Sequence, residues 1–165
     1  MRSKKGQTLI EVLIGLATMV VVISAITIAV ISSLNNASYA KNQNLATQYA
    51  QQGMELMRDL RDINYASFSA LTNTTYCLAK GCSMLSNTSG DCGPKVNAIC
   101  DQNVDIFVRE VDVVQNSAEC LGGSSAKVTV SVSWADGKCT DRTNLFCHQV
   151  KLDSCLSNNN VINTP

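Results

Sequence analysis

The feature that most constrains this chain is an unbroken run of 29 uncharged residues, Val12 to Ala40. The stretch from Leu9 to Leu34 consists mainly of Val, Ile, Leu, Ala and Met, and it contains no Pro. A helix of that length rises roughly 39 Å at about 1.5 Å per residue. The hydrocarbon core of a bilayer is about 30 Å thick, and a backbone in lipid must satisfy its own hydrogen bonds. The run therefore predicts a transmembrane helix.

The charges around the run predict its orientation. Arg2, Lys4 and Lys5 precede it, so the positive-inside rule places the N-terminus in the cytoplasm and the residues after about 36 outside. A plain single-pass anchor and a secretory signal peptide are the alternatives, and Ser38-Tyr39-Ala40 would serve as a cleavage site. The apolar run is nearly twice the roughly 7–15 residues of a signal-peptide core, which favours a retained helix.

Glu11 is a carboxylate inside this apolar run, where a charge is costly unless it is paired. Lys4 and Lys5 could supply the partner from the same chain. Residues 4–14, KKGQTLIEVLI, resemble the leader and N-terminal motif of type IV pilins and pseudopilins. The resemblance is specific over about residues 4–34, extends to the helical continuation near residue 62, and covers only the general layout beyond.

The resemblance implies roles for three residues. A prepilin peptidase would cut between Gly6 and Gln7, and the new N-terminal Gln7 would be N-methylated. Glu11 would pair with the Gln7 amine of a neighbouring subunit and set the register of assembly. Such a buried pair adds little net stability, but a subunit with the wrong offset leaves a carboxylate unpaired. The family most often has Phe at the first mature position, and an N-terminal Gln7 that cyclises would lose its amine charge.

The expected organisation has four parts. Residues 1–6 form a leader peptide, 7–36 a transmembrane and assembly helix, 37–63 the amphipathic half of that helix, and 64–165 an extracytoplasmic, disulfide-rich β-sheet head domain. The fold class is α+β, with the long N-terminal helix packed on a small antiparallel sheet.

The second half of the helix carries an apolar stripe at helical spacing. Its members are Leu45, Tyr49, Leu56, Leu60 and Ile63, widened by Ala46, Ala50, Met54 and Met57. Charged residues occupy another face, where Glu55 and Arg58 are spaced to pair. We interpret this face as solvated; contact of Arg58 and Arg61 with a neighbouring subunit is the alternative.

Strand signals are concentrated near the C-terminus. Residues 64–103 are rich in Ser, Thr, Asn, Gly and Cys, and predict an irregular loop region with room for one short strand. Residues 104–111, 128–134 and 146–152 predict three strands, the second with the cleanest alternation. The turn signal Asp136-Gly137 follows that strand, and turn connections of this kind favour an antiparallel sheet.

Eight cysteines follow the helix, on the predicted oxidising side of the membrane. They are Cys77, Cys82, Cys92, Cys100, Cys120, Cys139, Cys147 and Cys155. None forms a C-x-x-C pair, so disulfides are favoured over a metal site or a redox enzyme. The 105 possible pairings remain open, with short-loop pairs such as Cys77–Cys82 and Cys92–Cys100 as plausible examples.

Two other features of the head are weaker. His148 is the single histidine and lies on the apolar side of a strand pattern, which favours a structural role. Asp136 and Asp141 flank a turn and could bind calcium, but two acids in a loop are weak evidence. We therefore predict no metal, no cofactor and no enzymatic activity.

The sequence thus predicts a structural subunit, a minor pilin or pseudopilin of a type IV pilus-like filament. Its partners would be other pilin-like subunits, the prepilin peptidase, the inner-membrane assembly machinery and, before assembly, membrane lipid. With 13 basic and 13 acidic residues, the chain has no charge excess that would favour nucleic acid. The alternatives are a membrane-tethered extracellular binding module that does not polymerise, a type II secretion pseudopilin, and an envelope enzyme.

Overall fold

The computed structural model describes residues 5–82, 92–94, 100, 103–120, 125–137, 139 and 146–158. The chain divides into two compact units, Met1–Asn42 and Gln43–Pro165. The described elements are helices α1 (Lys5–Ile63) and α2 (Tyr65–Ser69), and strands β1 (Thr74–Leu78), β2 (Cys92–Pro94), β3 (Val108–Val114), β4 (Ser125–Trp134) and β5 (His148–Ser157).

The five strands form one antiparallel sheet in the order β2-β1-β3-β4-β5. The longest ladder joins β4 to β5 and runs from the pair Ser125–Ser157 to the pair Trp134–His148. Alternate residues of β4 are fully buried on one face, because Val128, Val130 and Val132 point towards the helix. The predicted α+β class and the antiparallel sheet are confirmed.

The second half of α1 supplies the other side of this core. Its buried residues are Ala46, Ala50, Met54, Met57 and Leu60, four of which were predicted only to widen the stripe. Ala46 and Ala50 are 0% exposed, and their small side chains suit close packing of the helix on the sheet. The prediction that Ile63 belongs to the stripe is wrong: Ile63 is 76% exposed, since α1 ends there and Asn64 caps α2.

Gly53 marks a close approach of α1 to the sheet. A Cβ atom at this position would lie 2.8 Å from Val130 Cγ1, 3.3 Å from Leu78 Cδ2 and 3.4 Å from Arg109 Cδ. Contacts under about 3 Å force something to move, so the helix packs here through its backbone. Glycine lowers the intrinsic stability of a helix, but at this position any larger residue would clash with the sheet.

The region 64–103 is more regular than predicted, because its described residues include α2, β1 and β2. Strand β1 pairs with both β2 and β3, and it buries Tyr76 and Leu78 at 2% exposure each. The prediction allowed one short strand in this region, whereas the described residues contain two strands and a short helix. The threonines and the cysteine of β1 interrupt the alternation of apolar and polar residues that predicts a strand. The strand forms because it pairs with distant strands, and its local sequence does not select it.

The first predicted strand begins later than expected. Two backbone hydrogen bonds close a tight turn between Val104 and Phe107. The Val104 N–H donates to the Phe107 carbonyl at 3.1 Å, and the Phe107 N–H donates to the Val104 carbonyl at 2.9 Å. Asp105 in that turn has a φ of 55°, a left-handed conformation that Asp tolerates better than most residues. Because of this turn, β3 starts at Val108.

All eight cysteines are paired in the head. The disulfides are Cys77–Cys100, Cys82–Cys92, Cys120–Cys155 and Cys139–Cys147. The prediction of disulfides is confirmed, and the two example pairs Cys77–Cys82 and Cys92–Cys100 are wrong. The strand pairing explains the difference, because the β1–β2 register sets the positions of Cys77 and Cys92.

Candidate functional site

The first unit exposes apolar side chains around the whole helix. Every described side chain from residue 8 to residue 41 is exposed, with Leu9 at 70%, Leu13 at 66% and Ile28 at 69%. By length and composition this is the one helix in the described part of the chain that could cross a membrane, a test that a signal sequence also passes. A continuous apolar surface of this kind requires a non-aqueous environment or a partner.

The hydroxyl groups of this helix bond their own backbone. Thr18 donates to the Gly15 carbonyl at 2.9 Å, Ser24 to Val20 at 2.8 Å and Thr27 to Ile23 at 2.9 Å. A donor placed in hydrocarbon is costly unless it is satisfied. These hydroxyls therefore add little polarity to the surface and suit an apolar environment.

Glu11 is the exception on this surface. Its side chain is exposed among Ile10, Val12 and Ile14, which are 64%, 61% and 57% exposed. A carboxylate in such surroundings needs a partner if the helix enters lipid or a helical bundle. Gly6 and Gln7 lie in the first turns of α1, with Gln7 one turn before Glu11, and their side chains are outside the described part.

The second unit contains an open cleft of about 1030 Å³ beside its part of α1. Most of the residues that line it are polar or charged, including Gln52, Lys80 and the ion pair of Arg58 with Glu55, whose atoms are 2.6 Å apart. The predicted pairing of Glu55 with Arg58 is thus confirmed. Asp62, on the same helix, is held 2.8 Å from Arg61, and this ion pair lowers the pKa of Asp62.

Arg109 lies in the floor of the cleft and is only 2% exposed. Its guanidinium donates to the carbonyls of Leu78 at 2.8 Å, Ala79 at 3.0 Å and Tyr49 at 3.3 Å. Burial lowers the pKa of Arg109. The side chain joins the end of β1 to α1, a structural role that the sequence analysis missed because no local pattern marks it.

Tyr49 makes a second link between α1 and the turn before β3. Its hydroxyl donates to Asp105 Oδ2 at 2.8 Å, and this bond raises the pKa of Tyr49. Its ring also packs edge-on against Phe107, with centroids 5.4 Å apart. The pair holds the left-handed turn at Asp105 against the helix.

The turn end of β4 and β5 brings a histidine, a carboxylate and a disulfide together. His148 Nε2 lies 2.9 Å from Asp136 Oδ2, and the imidazole packs on Trp134 with ring centroids 5.3 Å apart. The Cys139–Cys147 disulfide is adjacent, and one ligand atom from each of the four residues lies within 4.8 Å of the others. Asp141, the second acid of the predicted turn, is outside the described residues.

Comparisons of the chain with protein-family models, with curated proteins and with solved structures found no match. Gly6, Gln7 and Glu11, for which the sequence predicts roles in processing and assembly, lie in the first unit, and the eight cysteines form four disulfides in the second.

Proposed function

We propose that this chain is a structural subunit of a type IV pilus-like filament, either a minor pilin or a pseudopilin. The observation that carries the proposal is an exposed apolar helix with a single carboxylate, Glu11, one turn after Gly6-Gln7. A helix of this kind is stable in lipid and stable again when the same surface packs against copies or relatives of itself.

The apolar surface supports transfer from membrane to filament. Its side chains are exposed on every side, so lipid can be replaced by apolar neighbours without leaving one face in water. The hydroxyls of Thr18, Ser24 and Thr27 donate to backbone carbonyls of their own helix, so they need no polar partner in lipid or in the filament. Glu11 is then the only charged side chain between Thr8 and Ala40 that must find a partner.

The proposed assembly uses cleavage to create that partner. A prepilin peptidase removes residues 1–6, leaving Gln7 as the N-terminus with a positive amine. Glu11 of an incoming subunit accepts from that amine on its neighbour, and any other axial offset leaves the carboxylate unpaired in apolar surroundings. The head, fastened by four disulfides, faces outward from the cytoplasmic membrane and then from the filament.

The first test is the N-terminus of the protein purified from its native membrane, determined by intact mass and N-terminal sequencing. A chain beginning at Gln7, with one added methyl group, supports the filament proposal. A chain that keeps Met1 to Gly6 contradicts it and favours a tethered binding module, since such a module needs no cleavage.

The second test replaces the carboxylate. Glu11→Ala should leave the protein in the membrane fraction and reduce its recovery in sheared filaments at least tenfold, because assembly loses its register contact. Thr18→Val is the matched control, since its hydroxyl donates to the Gly15 carbonyl of its own helix. Equal filament recovery of Glu11→Ala and the control would exclude the pairing role.

A further inference from the structure

Four side chains with metal-ligand atoms meet at the turn end of the β4–β5 ladder. Asp136 and Cys139 follow β4, whereas Cys147 and His148 stand at the start of β5. One oxygen, two sulfurs and one imidazole nitrogen lie within 4.8 Å of one another. We refer to these four residues as the turn cluster.

The donor set of the turn cluster matches one class of cation. Two thiolates, one imidazole and one carboxylate are ligands that Zn²⁺ and Co²⁺ accept in tetrahedral geometry, with metal–ligand distances of about 2.0–2.3 Å. Hard cations such as Ca²⁺ prefer six or more oxygens, and the cluster offers one carboxylate. Its chemistry therefore favours a borderline-soft divalent cation.

The sulfurs are available to a metal only when the disulfide is open, because the metal ligand is the thiolate. Of the four disulfides, Cys139–Cys147 is the one in which neither cysteine is buried. Each of the others contains at least one cysteine that is 4–7% exposed: Cys77, Cys82, Cys100 or Cys120. A reductant from solution therefore reaches the Cys139–Cys147 bond most readily.

Opening this disulfide leaves the scaffold of the cluster in place. The bond closes a span of 8 residues, the shortest of the four, and short loops contribute least to the entropy that a cross-link removes from the unfolded chain. The adjoining β4–β5 ladder does not depend on this disulfide: it consists of ten residue pairs and ends at the pair Trp134–His148. The two halves of the cluster are thus held together by the sheet.

Neighbouring groups already orient the ligands. The backbone N–H of Asp136 donates to Cys139 Sγ at 3.3 Å, a contact that also favours a thiolate. The Cys139 N–H donates to the Asp136 carbonyl at 3.1 Å and closes the turn. The imidazole of His148 is held against Trp134, which is 1% exposed. Such supporting contacts are typical of metal sites.

We propose that the turn cluster is a redox-gated site for a zinc-class divalent cation. A dithiol reductant transfers two electrons and two protons to Cys139–Cys147, giving two thiols, and is itself oxidised to a disulfide. The cation then binds both sulfurs with His148 and Asp136, and the two thiol protons leave to solvent. The disulfide and the bound metal are mutually exclusive states of one site, and the inference does not depend on filament assembly.

The test uses the full chain in detergent micelles with Co²⁺ as the probe. The protein is reduced briefly with dithiothreitol under native conditions, its new thiols are mapped by alkylation and mass spectrometry, and Co²⁺ is added after the reductant is removed. We expect Cys139 and Cys147 to be the first thiols labelled. One Co²⁺ per chain should then give sulfur-to-cobalt charge-transfer absorption, and Zn²⁺ should displace it.

Variants separate this site from other thiols. Cys139→Ser/Cys147→Ser should abolish the charge-transfer band, and His148→Gln should weaken Co²⁺ binding at least tenfold while keeping the thiols. The fully oxidised wild type is the matched control and should show no band. Tryptophan fluorescence of Trp134 checks that each protein remains folded, because this is the single tryptophan of the chain.

Three results would overturn the proposal. The first is another disulfide opening before Cys139–Cys147. The second is the absence of a thiolate–cobalt band when those two thiols are free and the fold is intact. The third is an unchanged band in the double serine variant, which would assign the metal to other cysteines.

Discussion

Gly53→Ala tests the close approach of α1 to the sheet. The new methyl group would lie 2.8 Å from Val130 Cγ1, and Val130 is 0% exposed with a stiff, β-branched side chain. Overpacking of this kind costs roughly 1–3 kcal/mol, whereas replacing Gly by Ala in a helix returns about 1 kcal/mol. We therefore expect a net loss of up to about 2 kcal/mol in the free energy of unfolding.

The assay is urea unfolding of the full chain in detergent, followed by the fluorescence of Trp134, which is 1% exposed. The midpoint should fall with an unchanged slope, since the surface exposed on unfolding is the same. Gly137→Ala is the matched control because its Cβ would meet nothing within 4 Å, and its effect should stay within about 0.5 kcal/mol.

A double-mutant cycle identifies the cause. Val130→Ala removes the methyl group that the new side chain would strike, at a cost of its own of about 2 kcal/mol. The double variant Gly53→Ala/Val130→Ala should then be at least about 1 kcal/mol more stable than the sum of the single effects predicts. Additive effects, or a Gly53→Ala variant more stable than wild type, would refute the close-approach argument.

Three further predictions concern the second unit. Arg109→Met should destabilise the head by about 3 kcal/mol, measured by urea unfolding, because three carbonyls lose their donor; a loss under about 1 kcal/mol would contradict the structural role. Tyr49 has its pKa raised above its ordinary value of 10.0 by its hydrogen bond to Asp105, so its contribution to stability is fully present below about pH 10 and is lost as the pH rises through the folded-state pKa. Absorbance titration of the wild type should show that the Tyr49 hydroxyl ionises at a higher pH than an ordinary tyrosine. Tyr49→Phe should remove the part of the alkaline loss of stability that this ionisation causes. Identical profiles of stability against pH in the two proteins would contradict a stabilising hydrogen bond between Tyr49 and Asp105. Cys120→Ala/Cys155→Ala, which opens a span of 35 residues, should cost about 4 kcal/mol of stability in urea unfolding, and a cost below about 1 kcal/mol would show that the reduced chain is already constrained there.

The candidate assembly site could be derived almost entirely from sequence. The evidence for it is a contiguous apolar run, a basic N-terminal segment and Glu11 one turn after Gln7, all of which are local in the chain. The helix Lys5–Ile63, whose side chains are exposed from residue 8 to residue 41, agrees with that pattern. Hydrophobicity summed over many residues predicts such a helix without knowledge of any neighbour. The roles of Gly6, Gln7 and Glu11 in processing and assembly stay predictions.

The sheet was predictable only where its strands alternate cleanly. The predicted strand 128–134 falls within β4, and the predicted strand 146–152 overlaps β5. Both were predictable because burial alternates along these strands, and the sequence alternates with it. One short strand was allowed in residues 64–103, but its position was not predicted, because the residues of β1, TTYCL, become a strand by pairing with β3, more than thirty residues further along the chain.

The sequence by itself determined the long apolar helix, the α+β class and the use of all eight cysteines in disulfides, because composition and local periodicity carry those properties. Only the tertiary structure decided which cysteines pair, why Gly53 is a glycine, and that Arg109 is buried against three carbonyls. It also decided that Asp136, Cys139, Cys147 and His148 meet at one turn. The physical reason is that the pairing and register of the strands bring these residues together, and no local sequence pattern records that register.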